Sequence, residues 1–364
     1  MRTFFEMLSE RWDELLKLFV EHIEMTSMAV LFSLVIGVVI GVAITKNKKA
    51  AAVVIGIANL MQSIPSIGLL AFMVPFVGIG QKPAIIMVII YALLPIIKNT
   101  YTGVTGIDPK LLEAARGIGL SKSQQLFKIQ LQQALPYIMA GISAVTAVGT
   151  VTIAAFAGAG GLGWMINLGL NANDANLVLL GAIPACLLAL VVDFILGKVE
   201  KAITPEGLKP ADQIVSMPRN KRNARRVLAL VLCAALLVVP SAASVAQSLT
   251  DDDDRLVIGA QNFTESLILG EIYSELIQAK TDIPVEKTFN LNGTMITVSA
   301  LQSGDIDMAT DYTGVLAPNV LKLPMETDQQ QVYESVKSGL REQYHFDVSA
   351  PIGFSNTYVF AVSR

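Results

Sequence analysis

Few residues in this chain are patterned for chemistry, and the clearest pattern is Glu113-Ala114-Ala115-Arg116-Gly117-Ile118-Gly119, followed after nine further residues by Ile129. Pro109 suits a helix start, and Gly117 and Gly119 suit its end. Residues 111–116 therefore read as a short amphipathic helix and 122–133 as a second one. A short helix braced by its neighbours can seat in a cleft of another protein and pass on that protein's closure as a push. A second group lies near the C-terminus: Asn262-Phe263-Thr264-Glu265, Asn290-Leu291-Asn292-Gly293-Thr294 and Asp311-Tyr312-Thr313-Gly314. Each joins helix N-terminal donors, which suit an anionic group, to side chains that suit a cation.

Other candidates exclude functions. No G-x-x-x-x-G-K-[S/T] occurs, so the chain does not hydrolyse ATP itself. Gly158, Gly160 and Gly163 satisfy G-x-G-x-x-G, but they follow an apolar helix rather than a strand in a βαβ unit, and they read as a loop or gate. Cys186 and Cys233 each lie inside an apolar run and read as small buried hydrophobes. His22 and His345 have no metal-ligand spacing, and the four carboxylates Asp251–Asp254 read as a solvated linker. No nucleophile–base pair appears, so an enzyme is not expected.

The elements that must position these groups are mostly apolar. Mean hydropathy is +0.56, and only 16% of residues are charged, against about 25% in a soluble domain. The shortfall is local: residues 26–248 hold nearly all the long apolar runs, while 250–364 read as an ordinary soluble α/β region. The net charge of −3 averages these unlike halves. A crossing helix needs about 20 apolar residues. Residues 26–45, 51–78, 83–101, 134–157 and 177–197 qualify, and a sixth run extends from 227 to about 246. Pro65 and Pro75 interrupt the second run, which reads as one kinked span, or else as a re-entrant or broken helix.

Basic residues set the orientation. Lys46, Lys48 and Lys49 follow the first span. Lys110, Arg116, Lys122 and Lys128 lie between the third and fourth, and Lys198, Lys201, Lys209 and the Arg219–Arg226 cluster between the fifth and sixth. Loops 79–82 and 158–176 hold only Lys82. The positive-inside rule then puts the N-terminus outside, 108–131 in the cytoplasm and everything after 246 outside. Residues 1–25 read as an amphipathic segment on the membrane surface, through Phe4, Phe5, Leu8, Trp12, Leu15, Leu16 and Phe19. Residues 201–226 read as a basic cytoplasmic linker. Residues 227–248 read as a sixth transmembrane helix or as an internal signal-like segment, since Pro240 and Ser244-Val245-Ala246 follow a basic and then an apolar stretch. Beyond 255 the pattern predicts strand, helix, strand, helix, strand: 255–260, 264–279, 285–289, 294–302 and 306–310, with a last strand at 358–362. That alternation implies a parallel sheet with its ligand groups at the strand C-termini.

The 113–129 spacing resembles the EAA loop of ABC importer permeases, although Gln132 stands where those permeases usually have proline, and Pro136 comes four residues later. Gln62–Leu70 and Ala157–Gly163 are similar to stretches in the permeases for glycine betaine, carnitine and choline, the osmoprotectant or quaternary-amine family. The resemblance covers about residues 20–200. It implies an all-α polytopic membrane domain of the type I, MetI-like kind at 26–200, with about six transmembrane helices counting the last and a coupling loop at 108–133. It implies separate ABC ATPase subunits that bind the ATP and Mg, contacted through Glu113, Ala114, Ala115 and Gly119. A permease homodimer in a bacterial plasma membrane follows from the same resemblance.

Residues 255–364 look like the first lobe of quaternary-amine solute-binding proteins, a partial α/β periplasmic-binding-protein-like domain outside the cell. The resemblance implies ligand roles for Asn262, Phe263, Thr264, Thr294, Asp311 and Tyr312, with a trimethylammonium held over aromatic faces. Leu291 stands where betaine binders tend to carry a tyrosine, which opens ergothioneine as a ligand. Only about 110 residues follow Arg255, so the second lobe is expected to be missing, through truncation or a gene fragment. The function implied is an ATP-driven importer subunit for a small zwitterionic or cationic solute (glycine betaine, carnitine, choline or ergothioneine), in contact with lipid and not with nucleic acid. The alternative is a membrane-anchored receptor or sensor without transport.

Overall fold

The computed structural model describes residues 3–143, 147–204, 224, 227–229, 231, 234–242, 255–324 and 326–353. It forms two compact units, 1–308 and 309–364. The first opens with α1 (Phe4–Glu10), which a reciprocal cap starts: Thr3 Oγ1 accepts from the Glu6 N–H, and Glu6 Oε2 accepts from the Thr3 N–H at 2.8 Å.

Helix α2 (Trp12–Ala43) then runs unbroken through residue 25, where the sequence suggests a surface segment ending and a span beginning. Met7, Leu15 and Leu18 are buried against Leu162, Met165, Leu177 and Leu180. The apolar stripe of this segment thus packs largely on protein, while Phe5, Leu16 and Val20 stay exposed.

The expected second span is two helices, α3 (Lys48–Ser63) and α4 (Ser66–Val77), bent by 97°. The single kinked span is therefore replaced by the broken form. Pro65 lacks an N–H and biases Ile64 away from helical angles, and Ile64 is extended at ψ 132°. The Tyr91 hydroxyl, from the next helix, donates to the freed Ile64 carbonyl; such breaks persist in membranes where protein meets the exposed backbone groups.

Helix α5 (Gln81–Thr105) forms the centre, packed on α2 and on α8 (Leu131–Ser143). Gly37 and Gly41, one turn apart on α2, let the α5 backbone approach: a Cβ on either would lie 2.6 Å from Ile96 or Thr100. Small residues four apart commonly set such close crossings between membrane helices. Between α5 and α8 come α6 (Pro109–Gly117), α7 (Lys122–Gln125) and a π-helical turn at Leu126–Gln130. Helices α9 (Ala147–Ala154), α10 (Gly161–Asn171) and α11 (Ala175–Ile203) complete the bundle.

By length and hydropathy, four helical stretches among the described residues can cross a membrane: Trp12–Lys46, Gln81–Thr105, Lys122–Ala157 and Ala175–Ile203. The bent pair makes a fifth if it counts as one span. The apolar helix α12 (Val227–Ala242) is shorter than these, and Ser27 Oγ on α2 donates to its Leu236 carbonyl at 3.1 Å. The carboxylates at 251–254, Cys233, the 243–248 segment and the strand expected at 358–362 lie outside the described residues.

The α/β region follows the expected alternation closely. Strand β1 (Leu256–Gln261) leads to α13 (Thr264–Lys280), β2 (Val285–Leu291), α14 (Thr294–Ser303) and β3 (Met308–Ala309), in sheet order β2-β1-β3. The β1–β2 pairing is parallel, with Gly259 opposite Thr288 but Gln261 opposite Leu291. One extra β2 residue is thus accommodated where Asn290 adopts φ +64°, a bulge that turns the following side chain. The second unit holds α15 (Thr313–Asn319) and α16 (Gln329–Tyr344), where Leu321 packs over Gly339.

Candidate functional site: a docking helix and a ligand lobe

Helix α6 is defined at both ends by its own sequence. Asp108 Oδ1 accepts from the Lys110 N–H at 2.9 Å, with Pro109 in the first turn. At the far end Gly119 N–H donates to the Arg116 carbonyl at 2.9 Å and Leu120 N–H to that of Ala115 at 3.1 Å. This doubly bonded C-terminus needs a left-handed residue at its turn, and Gly119 supplies it at φ +83°. Gly117 stays within the helix, so the stop belongs to Gly119.

Ala115 is buried beneath the helix, while Glu113, Ala114 and Gly119 are exposed. The same loop region presents apolar side chains: Ile118 is 77% exposed, Phe127 66% and Leu111 39%. None of the three was assigned a role from the sequence, although Ile118 lies within the quoted motif and Leu111 opens the helix read there. Ser121 caps α7 reciprocally with Gln124. The π turn that follows precedes Pro136, whose ring interrupts the normal ladder of α8.

In the lobe, the ends of β1 and β2 come together. Asn262 N–H donates to the Leu291 carbonyl at 3.0 Å, and Asn262 Nδ2 to Asn292 Oδ1 at 3.0 Å. Gln261, which sequence reasoning passed over, is buried and reaches Thr294 Oγ1 through Nε2 at 3.5 Å; its own N–H donates to Ser266 Oγ. Phe263 is half-buried just ahead of α13, whose first residue, Thr264, is exposed. Thr294 opens α14. Asn262, Phe263, Thr264 and Thr294 thus cluster at one end of the sheet. Asp311 and Tyr312 belong to the second unit, where both are half-buried, Asp311 Oδ1 accepts from the Tyr312 N–H at 2.7 Å, and Tyr312 precedes α15.

Leu291 is fully buried rather than lining an open cleft. The glycine run at 158–163 is a turn: Gly158, Gly160 and Gly161 all have positive φ, and Gly163 lies against the Thr152 carbonyl. Two adjacent residues of α2, neither assigned a role from the sequence, brace this region. Glu21 Oε2 accepts from the Gly161 N–H at 3.0 Å, and buried His22 contacts the Val148 carbonyl through Nε2 at 3.0 Å. Reading residues 1–25 as a surface segment hid both.

Residues 11–205 match the family described as binding-protein-dependent transport system inner membrane component, and residues 254–364 match the substrate binding domain of ABC-type glycine betaine transport systems. The choline transport system permease protein OpuBB of Bacillus subtilis is 40% identical over 57% of this chain and 97% of its own. The ergothioneine transport permease/ergothioneine binding protein EgtU of Helicobacter pylori is 32% identical over 91% of this chain; that alignment spans 59% of EgtU. A solved MetNI methionine ABC transporter chain is 28% identical over 52% of this chain and 97% of its own, with a TM-score of 0.47. The chain belongs to the binding-protein-dependent ABC permeases and carries a fused substrate-binding domain of the glycine betaine type.

Proposed function

We propose that this chain is the membrane subunit of an ATP-driven importer in the plasma membrane, with its fused lobe outside the cell. It works as a homodimer above two ABC ATPase subunits, which bind the ATP and Mg. One observation carries the reading: the capped helix α6, with Ile118, Phe127 and Leu111 exposed around it, lies beyond one end of α5, and the turn that meets the lobe lies at the other. The 25 residues of α5 span about 37 Å at 1.5 Å per residue, the thickness of a bilayer with part of its headgroups. A docking helix on one side and a solute-binding lobe on the other is the arrangement an alternating-access pump requires. In this reading Glu113, Ala114, Ala115 and Gly119 form the docking element seated in the ATPase.

The solute class follows from the lobe and its relatives. Donors at the starts of α13 and α14 suit a carboxylate, and the ring of Phe263, just ahead of α13, suits a quaternary ammonium. Choline and ergothioneine name the relatives' solutes, and a betaine satisfies both kinds of group. Titrating the full chain in lipid nanodiscs with glycine betaine, carnitine, choline and ergothioneine tests this. Saturable heat for at least one is expected. Heat for none, together with no stimulation of ATP hydrolysis when an ABC ATPase is added, overturns it.

A further inference from the structure

We infer that Thr288, Leu291 and Asp305 form a docking face that fastens the lobe to two turns of its own permease, so that Leu291 serves this contact and not the ligand. The two turns are joined to each other: the Gly80 N–H donates to the Ala157 carbonyl at 2.8 Å. On the first, Asp305 Oδ2 accepts from the Ile79 N–H at 2.8 Å, and its carboxylate fills the space a Cβ on Gly78 would need. The Ser303 hydroxyl donates to the same oxygen at 2.7 Å and holds it in place.

On the second turn, a Cβ at Gly158 would lie 3.0 Å from Leu291 Cδ2 and 3.5 Å from Thr288 Cγ2. The other methyl of Leu291 packs toward Gly259 in β1. Leu291 is therefore sandwiched between two glycines, one from the lobe and one from the permease, and is fully buried. The bulge at Asn290 aims it there. A tyrosine at this position would drive into Gly158, so the aliphatic residue is matched to the permease turn. Further contacts follow the same path: α14 packs on α4, and β2 on the 155–157 turn and α10. Because Glu21 ties the Gly158–Gly161 turn to α2, and His22 ties α2 to Val148 of α9, a shift of the lobe at this turn is passed to both helices. The contact stands whatever the solute; only its effect on transport rests on the importer reading.

Hydrogen exchange on the full chain in lipid nanodiscs tests it. In Asp305→Ala, amide exchange in a peptide covering 78–82 should quicken about tenfold or more, with 109–117 unchanged, because a local bond and not the global fold protects that segment. Leu291→Tyr should give the same pattern at 155–161. Unchanged exchange at both turns overturns the proposal. Cross-linking gives a second measurement, which reads proximity and not exchange. With Cys186 and Cys233 replaced by alanine, a short bis-thiosulfonate should join Ile79→Cys to Asp305→Cys and leave an Ile79→Cys, Glu275→Cys control unjoined. Equal yields, or none for the first pair, refute the docking face. Neither measurement needs an ATPase or a solute, so an inactive importer would leave both results intact.

Discussion

Leu120 N–H reaches back to the Ala115 carbonyl at 3.1 Å across Gly119, whose φ of +83° makes the return possible. A residue with a Cβ pays about 1–2 kcal/mol to hold a left-handed angle, enough to fray the end of a helix as short as α6. Gly119→Ala is expected to reduce ATPase stimulation several-fold, and Gly119→Glu, which adds bulk and charge at the docking surface, to abolish it. Solute binding to the lobe should be unaffected in both. Coupled ATP hydrolysis in proteoliposomes, read beside calorimetry, checks the pair; full coupling in Gly119→Glu would remove α6 from its proposed role.

Ile118 and Phe127 offer a sharper test of the same surface. Both are largely exposed, so truncating them costs the isolated chain little. Truncating a large apolar anchor at the centre of an interface costs about 1–3 kcal/mol. Phe127→Ser is therefore expected to weaken ATPase binding about tenfold to a hundredfold, with an unchanged melting temperature for the chain alone. Pull-down titration against the ATPase gives the first quantity and a thermal scan the second. Equal affinity for wild type and variant would show that the interface lies elsewhere.

Inside the bundle the glycines divide into two kinds. Gly41 is pressed against Thr100, whereas Gly56 on α3 has nothing within 4 Å of where its Cβ would lie. Gly41→Leu forces α2 and α5 apart and should destabilise by about 1–3 kcal/mol, as overpacking does. Gly56→Ala fits freely and should be neutral or stabilising by up to about 1 kcal/mol. Thermal unfolding in one detergent compares them, and a similar loss in both would mean that the α2–α5 crossing is not set by close approach.

The contrast between those glycines explains what could be read from the sequence. Local signals were legible: Pro109 and Gly119 bounded α6, and helices beginning at Thr264 and Thr294 appeared where the sequence pattern placed them. Signals that depend on a partner were not. Gly37 and Gly41 look like any apolar-run glycines until Ile96 and Thr100 lie opposite. Pro65 announces a break but not its 97° angle, nor that the Tyr91 hydroxyl donates to the freed Ile64 carbonyl. Leu291 looked like a weakened cage position because its neighbour across the chain, Gly158, is more than a hundred residues away in sequence.

Tyr312 separates the ligand reading from a structural one. It stands at the start of α15, half-buried beside the Asp311 carboxylate, which accepts its backbone N–H. If its ring faces a quaternary ammonium, removing the ring loses a cation–π contact worth about 0.5–2 kcal/mol, which is about a twofold to thirtyfold rise in Kd at 1.4 kcal/mol per factor of ten. Tyr312→Leu should show that rise for glycine betaine while Tyr312→Phe, which keeps the ring, stays near wild type. Were the phenol only a packing element, both variants would change thermal stability and neither would change affinity selectively. Calorimetric titration of the three full-length chains, each with its melting temperature, decides between these outcomes.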